Sequence, residues 1–523
     1  MSKQMRRLER QKEAKKAEMP EANQNEILAA SCATFDENDI GNADRLCSRY
    51  SHLLTYAGDR GGWIAWDGKR WNKDNGQAAA RQYASETARK IREEVPFMKD
   101  RKEDKAIQRL KFSNQSGKAS SIRGMLELAS PTLLGDINNF NDPEKTAELF
   151  NVQNGTVDLT TGAIKPHDPD DKITTIAGVA YDEDAEAPRW ERYLLEVFQN
   201  DTEMVEFIQR AVGYSLFGTQ YETVCFFLLG DENAADLNGS NGKSVFLKTL
   251  RGILGDYGEA VDPDLIVKRD NRGISNDIAK LWRVRVGFGA EFDRTDIIDE
   301  ARLKKLTGDD PIEARFLHKE YFTFTSGATL FYTANHAPLI QSTNNGIWRR
   351  PVLIPFKQRF YKPEECPDGM PAGGMIVDRN LVKELEKEKK GILAWAIRGA
   401  VEYYQRGGLD TPQRLFIARD KKRAETDPLF DWAKVCIERT KEATWEAKEL
   451  WQAYEGFCKE NATQAISQTA FGRRLREMGI DKDDKESQRR NRTVRRGARL
   501  TNAGIQYLTG QTITHKTPDL RAL

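Results

Sequence analysis

Thr223-Val224-Cys225-Phe226-Phe227-Leu228-Leu229-Gly230, and after a polar stretch Gly239-Ser240-Asn241-Gly242-Lys243-Ser244-Val245, is the passage on which the architecture turns. The first run is β-branched and aromatic without polar interruption, the composition of a strand buried on both faces. From Ser244 to Leu254 the pattern becomes helical, and it stops at Gly255, a plausible C-cap. Strand, glycine-bearing loop and helix in that order aim backbone N–H groups and the positive end of a helix at one point. Lys243 adds a cation there and Ser244 a hydroxyl. Phosphate oxygens with an accompanying Mg²⁺ are the chemistry that this set of groups suits. Gly239, Ser240, Asn241, Gly242, Lys243, Ser244 and Val245 are therefore the candidate nucleotide-binding residues. Strict phosphate-loop spacing would place glycine at 237, where Leu237 stands, and the loop from Gly230 to Gly242 is longer than usual. The flanking strand and helix carry the reading more than the motif does.

Downstream, Arg283 to Ala290 alternates as a strand does, with Val284, Val286 and Phe288 leading to Glu291 and Asp293. Thr329 to Thr333 and Pro351 to Phe356 supply further strands. Strands alternating with helices predict a parallel sheet with covered faces. Hydrolysis of a phosphoanhydride needs a carboxylate at the end of a neighbouring strand, to hold the metal and polarise water. Glu291 falls where that is needed, although a carboxylate after a strand is by itself most often a surface residue.

The flanks differ from this block. Residues 1–24 alternate Lys3, Arg6, Arg7, Arg10, Lys12, Lys15 and Lys16 with Glu9, Glu13 and Glu18, a solvated tail or a nucleic-acid arm. Between 25 and 200 the text is mixed. Gly61-Gly62-Trp63-Ile64-Ala65-Trp66-Asp67-Gly68-Lys69-Arg70-Trp71 predicts an aromatic hairpin turning at Asp67-Gly68. A helical stretch starts at Pro188 and runs through Val205 to Leu216. Beyond 360 one long amphipathic helix is predicted from Leu381 to Tyr404, ending at Gly407-Gly408. After 427 short helices surround Trp432, Leu450 and Phe471. Then Lys485, Arg489, Arg490, Arg492, Arg495, Arg496 and Arg499 meet a single acid, Glu486. With Gln468 to Leu475 before it, this reads as a winged helix, a helix for the groove followed by a basic β-wing for phosphates.

Composition limits the alternatives. The 523 residues carry Lys+Arg 81 against Asp+Glu 80, a net charge of +1, so a nucleic-acid site has to be a local basic patch. Cys32, Cys47, Cys225, Cys366, Cys436 and Cys458 form no Cys-x-x-Cys pair, which predicts reduced thiols rather than zinc ligands or disulfides. No apolar run reaches membrane-spanning length. The expectation is a cytoplasmic protein without membrane contact.

Three ordered runs then carry a resemblance. They are Lys304-Lys305-Leu306-Thr307-Gly308-Asp309-Asp310-Pro311-Ile312-Glu313-Ala314-Arg315, Tyr332-Thr333-Ala334-Asn335-His336-Ala337-Pro338, and Gly346-Ile347-Trp348-Arg349-Arg350-Pro351-Val352-Leu353-Ile354-Pro355-Phe356. Together they resemble superfamily 3 helicases of the phage and plasmid primase-helicase family, related to the poxvirus primase-helicase. Weaker matches around Asn154-Gly155, His167-Asp168-Pro169, Gly391-Ile392-Leu393 and Gly408-Leu409 extend the likeness over roughly residues 45 to 430. The resemblance implies ATP and Mg²⁺ as cofactors. It makes Lys243 and Ser244 the phosphate and metal ligands, with Glu291 the acidic strand-end residue. Asn335 becomes the polar sensor of the γ-phosphate. Arg349 or Arg350 becomes a finger reaching a neighbouring subunit's nucleotide, with a surface salt bridge as the plainer alternative. A DNA-contacting hairpin is implied between the second and third motor strands, its arms Arg315-Phe316-Leu317 and Tyr321-Phe322-Thr323-Phe324, its tip His318 and Lys319. The upstream primase often found in the family has no recognisable acidic or Cys/His constellation in this sequence.

The expected architecture is multidomain α/β. It runs as a basic tail (1–24), an α+β collar (25–200), an AAA+-like P-loop motor (201–360), a helical lid (361–426) and a winged-helix-like basic domain (427–523). The expected function is an ATP-dependent replicative DNA helicase of a phage, plasmid or satellite element in a bacterial host. By resemblance it is a 3′-to-5′ homo-hexamer on single-stranded and forked DNA, with a separate primase as a possible partner. Catalysis falls to Lys243, Glu291, Asn335, Arg349 and Arg350, metal binding to Ser244 and Glu291, and DNA contact to His318, Lys319, Arg489, Arg490, Arg492, Arg495 and Arg496. The alternatives are an ATPase-controlled origin-binding or scaffold protein, and a bifunctional primase-helicase.

Overall fold

The computed structural model describes residues 21–58, 62–100, 102–230, 240–269, 276–291, 293, 295–316, 321–341, 345–366, 369–371 and 373–509. Gly239, His318, Lys319 and the tail through residue 20 lie outside the described residues.

The N-terminal region combines helices with two small antiparallel sheets. Helix Asp39–Tyr50 starts where Asn38 accepts the Gly41 N–H at 2.8 Å. The aromatic hairpin forms from Gly62–Trp66 and Trp71–Asn72, with Leu54–Ala57 as its third strand. Asp67 Oδ1 accepts the N–H groups of Lys69 and Arg70, which closes the predicted turn. Trp63, Ile64 and Trp71 are buried, so these rings serve the core. A buried carboxylate, Glu94, takes Arg45 at 2.9 Å and Arg109 at 2.6 Å, tying three helical segments together. Without those partners a fully buried charge would cost several kcal/mol, on the order of 3–5.

Two helices lead into the central unit, α1 (Pro188–Val197) and α2 (Thr202–Tyr214). The sequence suggests one continuous helical stretch. Gln199 and Asn200 instead take positive φ, and Asp201 caps α2 by accepting the Met204 N–H at 3.1 Å.

The central sheet has five parallel strands: β1 (Cys225–Leu229), β2 (Gly258–Val261), β3 (Val286–Gly289), β4 (Thr329–Ala334) and β5 (Pro351–Pro355). Their spatial order is β5-β1-β4-β3-β2, so β4, the strand after the third crossover, is inserted between β1 and β3. Every residue of β1, β3 and β4 is buried, as strands with helices or loops over both faces require. One core lies under helix α3 (Lys243–Leu254) and includes Trp190, Phe246, Phe331 and Trp395; the other includes Phe227, Leu303, Leu330 and Tyr332.

Arg285, at the amino end of β3, is buried and has no carboxylate partner among the described residues; it donates to the carbonyls of Leu216, Thr146 and Leu149. It packs over the Tyr257 ring at 4.6 Å. This guanidinium fastens the N-terminal region to the end of β3 away from Glu291.

The predicted long helix is broken. A short helix covers Leu381–Lys387, and α4 runs from Lys389 to Arg406. Between them Glu388 turns its carboxylate to the start of α1, accepting the N–H groups of Arg189 at 3.1 Å and Trp190 at 3.0 Å. The carboxylate thus satisfies another helix's open amino end, at its positive pole. Where α4 crosses α2 the backbones nearly touch: a Cβ on Gly213 would lie 2.0 Å from Ala400 N, and one on Gly399 2.1 Å from Gln209 O.

Helix α5 (Gln413–Thr426) leads to a C-terminal unit of α6 (Pro428–Cys436), β6 (Ile437–Glu446), α7 (Ala447–Glu460), α8 (Gln468–Glu477), β7 (Asp481–Lys482), α9 (Asp484–Arg490), β8 (Val494–Leu500) and α10 (Asn502–Thr509). Its sheet is antiparallel in the order β6-β8-β7. It has its own core around Trp432, Leu450, Tyr454, Phe471 and Leu475.

Candidate nucleotide site and nucleic-acid interface

The carboxyl ends of β1, β4 and β3 lie side by side, because Leu229 pairs with Ala334 and Tyr332 pairs with Gly289. Three residues from distant parts of the sequence meet there. Lys243, the first residue of α3, donates from Nζ to the Ala334 carbonyl and to Asn335 Oδ1, each at 3.0 Å. Asn335 follows the last residue of β4, and its Nδ2 donates to Glu291 Oε2 at 2.9 Å. An ammonium only donates and a carboxylate only accepts, so the amide between them has one consistent orientation. Lys243 is 6% exposed, and burial holds its ammonium below the usual lysine pKa, partly countered by the charge of Glu291.

The loop before α3 is held from two sides. Gly242 has φ +87°, and a Cβ there would come 3.0 Å from Tyr193 Oη and 3.1 Å from a Val197 methyl. Only glycine suits both that conformation and that gap. Tyr193 Oη donates to the Gly242 carbonyl at 2.8 Å, so α1 pins the loop from below. Asn241 donates from Nδ2 to the Gln358 carbonyl, Phe360 N–H donates to the Ser240 carbonyl, and buried Asn241 Oδ1 has no hydrogen-bond partner among the described residues. Tyr193 and Gln358 were not legible as site residues, since each lies dozens of residues from the motif and neither belongs to it.

A triphosphate with its divalent ion fits what these residues offer. Among the described residues Lys243 donates only to neutral oxygens, which leaves its charge available to an anion. Ser244 is exposed on the first turn of α3, and Glu291 is exposed beside Asn335. Among the described residues no group of three or more His, Cys, Asp or Glu side chains is placed to hold a metal.

The two adjacent arginines are placed differently. Arg350 is buried, donating from Nε to Thr307 Oγ1 at 2.8 Å and from Nη1 to the Gly346 carbonyl. Burial first, and then the neighbouring Arg349 charge, hold its pKa below the usual arginine value. Arg349 is exposed and lines a depression with Glu222, Leu415, Phe416 and Arg419.

An antiparallel pair, Ile312–Ala314 with Phe322–Phe324, stands where the hairpin is expected, between β3 and β4. The C-terminal arginines do not form the bare cationic stretch that the sequence suggests. Arg489 and Arg490 pair with Glu486, Arg492 with Glu446, Arg496 with Asp483 and Arg499 with Glu438. Arg495 turns inward and donates to the Gly472 and Ile480 carbonyls. Arg473 and Arg476, exposed on α8, are candidates that the sequence reading passed over, because their significance depends on which face of the helix is left open.

Comparison with known proteins agrees with the nucleic-acid reading at a coarse level. Residues 43–199 match the family described as "D5 N terminal like". "Putative helicase L207/L206" of Acanthamoeba polyphaga mimivirus is 28% identical over 341 residues, covering 63% of this chain and 35% of that protein. "Putative helicase 121R" of Invertebrate iridescent virus 3 is 23% identical, covering 42% of this chain and 24% of that one. "Putative primase C962R" of African swine fever virus is 23% identical, covering 39% and 21% respectively. The chain thus spans about a third or less of the length of these relatives. The apo structure of the NrS-1 C-terminal region is 11% identical, with a TM-score of 0.33 over 64% of this chain and 70% of that one. At that score the overlap carries no weight. Among the described residues no helix is long and apolar enough to cross a membrane. Residues 43–199 thus match the D5 N terminal like family, and by sequence the chain is similar to proteins named as helicases or primases of large DNA viruses.

Proposed function

We propose that this chain is an ATP-dependent DNA helicase of the superfamily 3 type, with the nucleotide held at the loop before α3. The observation that carries the reading is the chain of contacts from Lys243 through Asn335 to Glu291 at three adjacent strand ends. When bound, ATP and Mg²⁺ supply the phosphoanhydride bond and a Lewis acid beside it. Lys243 neutralises charge on the phosphates, Ser244 offers a metal ligand, and Glu291 orients and polarises the attacking water. Asn335 contacts both Lys243 and Glu291, so a change in phosphate charge felt at one is passed to the other. Arg349, being exposed, is the arginine suited to complete a neighbouring subunit's site in a ring, in this family a homo-hexamer. The C-terminal unit, with its helix α8 and three-stranded sheet, serves as a winged helix on DNA.

The test is displacement of a labelled strand from a tailed fork. Wild type with ATP and Mg²⁺ unwinds it, and Lys243→Ala does not. ATP hydrolysis by wild type without strand displacement would favour an origin-binding or scaffold ATPase instead. Because one relative is named a primase, dinucleotide synthesis on a single-stranded template is the measurement for a bifunctional reading.

A further inference from the structure

One buried carboxylate stands where the central unit ends and the C-terminal unit begins. Asp427, between α5 and α6, is 2% exposed, and both of its oxygens are engaged. Oδ1 accepts the Phe430 N–H at 3.2 Å and so caps α6. Oδ2 takes Arg474 of α8 at 2.8 Å and lies 3.9 Å from Arg423 Nε of α5. Both arginines are buried as well. Burial holds the Arg423 guanidinium below the usual arginine value, at about 10, with the Asp427 charge opposing it. That guanidinium lies over the Phe430 ring at 3.9 Å and 6.0 Å from the ring centre of Trp348. Trp348 is buried in the core beside the central sheet, and the next residue is Arg349.

The two ends of this series of contacts face different tasks. Helix α8 turns Arg474 inward and leaves Arg473 and Arg476 exposed, so a displacement imposed on its open face carries Arg474 with it. Separating a buried ion pair is costly, so α8 and Asp427 move together. Close-packed side chains pass such a shift on rather than absorb it, here from Asp427 to Arg423 and the Trp348 ring. At the far end Arg349 is exposed and free to take a new direction, while Arg350 beside it is fixed by Thr307 and Gly346. We propose that Asp427 is a positioning residue for Arg349, passing DNA contact at α8 to that arginine through Arg423 and Trp348. This deepens the helicase reading, on which it rests: α8 has to meet DNA, and Arg349 has to serve a neighbouring subunit's nucleotide.

The test is binding linkage in the full chain, read with a fluorescent non-hydrolysable ATP analogue and a blunt DNA duplex. Such a duplex offers α8 a groove and the motor no single strand. In wild type each ligand should tighten the other by the same factor, about fivefold or more. Asp427→Asn keeps a side-chain acceptor for the Phe430 N–H and removes the charge between the two arginines. It should bind each ligand alone as wild type does and lose the mutual factor. Asp427→Glu keeps the charge, gives up the cap, and should retain most of the factor. A role confined to capping α6 predicts the reverse order, and that order would overturn the proposal. So would the full factor surviving in Asp427→Asn or in Arg349→Ala. Hydrogen exchange in wild type supplies a measurement that no misfolded variant can spoil. Duplex binding should change protection at residues 345–350, and unchanged protection there would sink the proposal. A wild type that binds both ligands without mutual effect defeats this proposal alone, whereas one that binds no nucleotide defeats the helicase reading itself.

Discussion

Lys243 and Arg350 are both buried cations whose nearest hydrogen-bond partners are neutral oxygens, yet their surroundings give them opposite uses. Lys243 sits beside exposed Ser244 and reaches an exposed carboxylate, Glu291, through Asn335, an arrangement that in the proposed reading lets a phosphate complete its coordination. Arg350 is enclosed by Thr307 and Gly346 of its own chain, and its guanidinium has nowhere else to go. Hydrogen bonds from a charged donor contribute about 1.5–3 kcal/mol each. Arg350→Ala should therefore lower the unfolding midpoint in urea, whatever it does to turnover. Arg349→Ala should leave that midpoint near wild type and depress ATP hydrolysis. Mixing Arg349→Ala chains into wild type, with subunits exchanging, should reduce activity more steeply than dilution. A strictly proportional decline, or a stability loss as large as that of Arg350→Ala, would count against a role between subunits.

At the scale of elements, helix breaks and crossings set where the site can be. The break at Glu388 was not legible, since the local sequence favours a continuous helix and the partner of its carboxylate lies 198 residues away at the start of α1. Glu388→Ala leaves two N–H groups of α1 without acceptors. By analogy with lost helix caps, about 1–2 kcal/mol of stability should go with them. Because α1 also carries Tyr193 under Gly242, the same change should weaken nucleotide binding. Fluorescent ATP-analogue titration beside a denaturation curve checks both. An unchanged nucleotide affinity would mean that α1 holds the loop without help from Glu388. The crossing of α2 and α4 is more demanding, since Gly213 and Gly399 each face backbone atoms that cannot move aside.

For the whole molecule, separate cores imply separate cooperativity. The C-terminal unit buries Trp432, Leu450, Tyr454 and Phe471 among themselves, apart from the cores beside the central sheet. Removing a fully buried leucine side chain costs about 2–5 kcal/mol. Leu450→Ala should thus lower one calorimetric transition and leave that of the central unit in place. A single transition moving as one would mean that the units unfold together. The N-terminal region, by contrast, is joined to the central sheet through Arg285 and through Asn151 N–H donating to Tyr257 Oη. Its unfolding should accompany the central transition.

The sequence alone determined that this chain has a parallel-sheet core in which a strand, a glycine-bearing loop and the helix that starts at Lys243 and Ser244 follow one another, because these are consecutive and their chemistry is local. The strand leading to Glu291 was legible for the same reason. Only the tertiary structure decided which strand ends are neighbours: inserting β4 between β1 and β3 is what brings Asn335 within 2.9 Å of Glu291, 44 residues away. It alone separated Arg349 from Arg350, which are adjacent in sequence but face solvent and core respectively. And it altered the charge of the C-terminal face, where the pairing of β6 with β8 sets Glu438 opposite Arg499 and brings Glu446 to Arg492, just before β8. Motif chemistry is written along the chain, whereas burial and charge compensation depend on distances in space, which an order of residues does not contain.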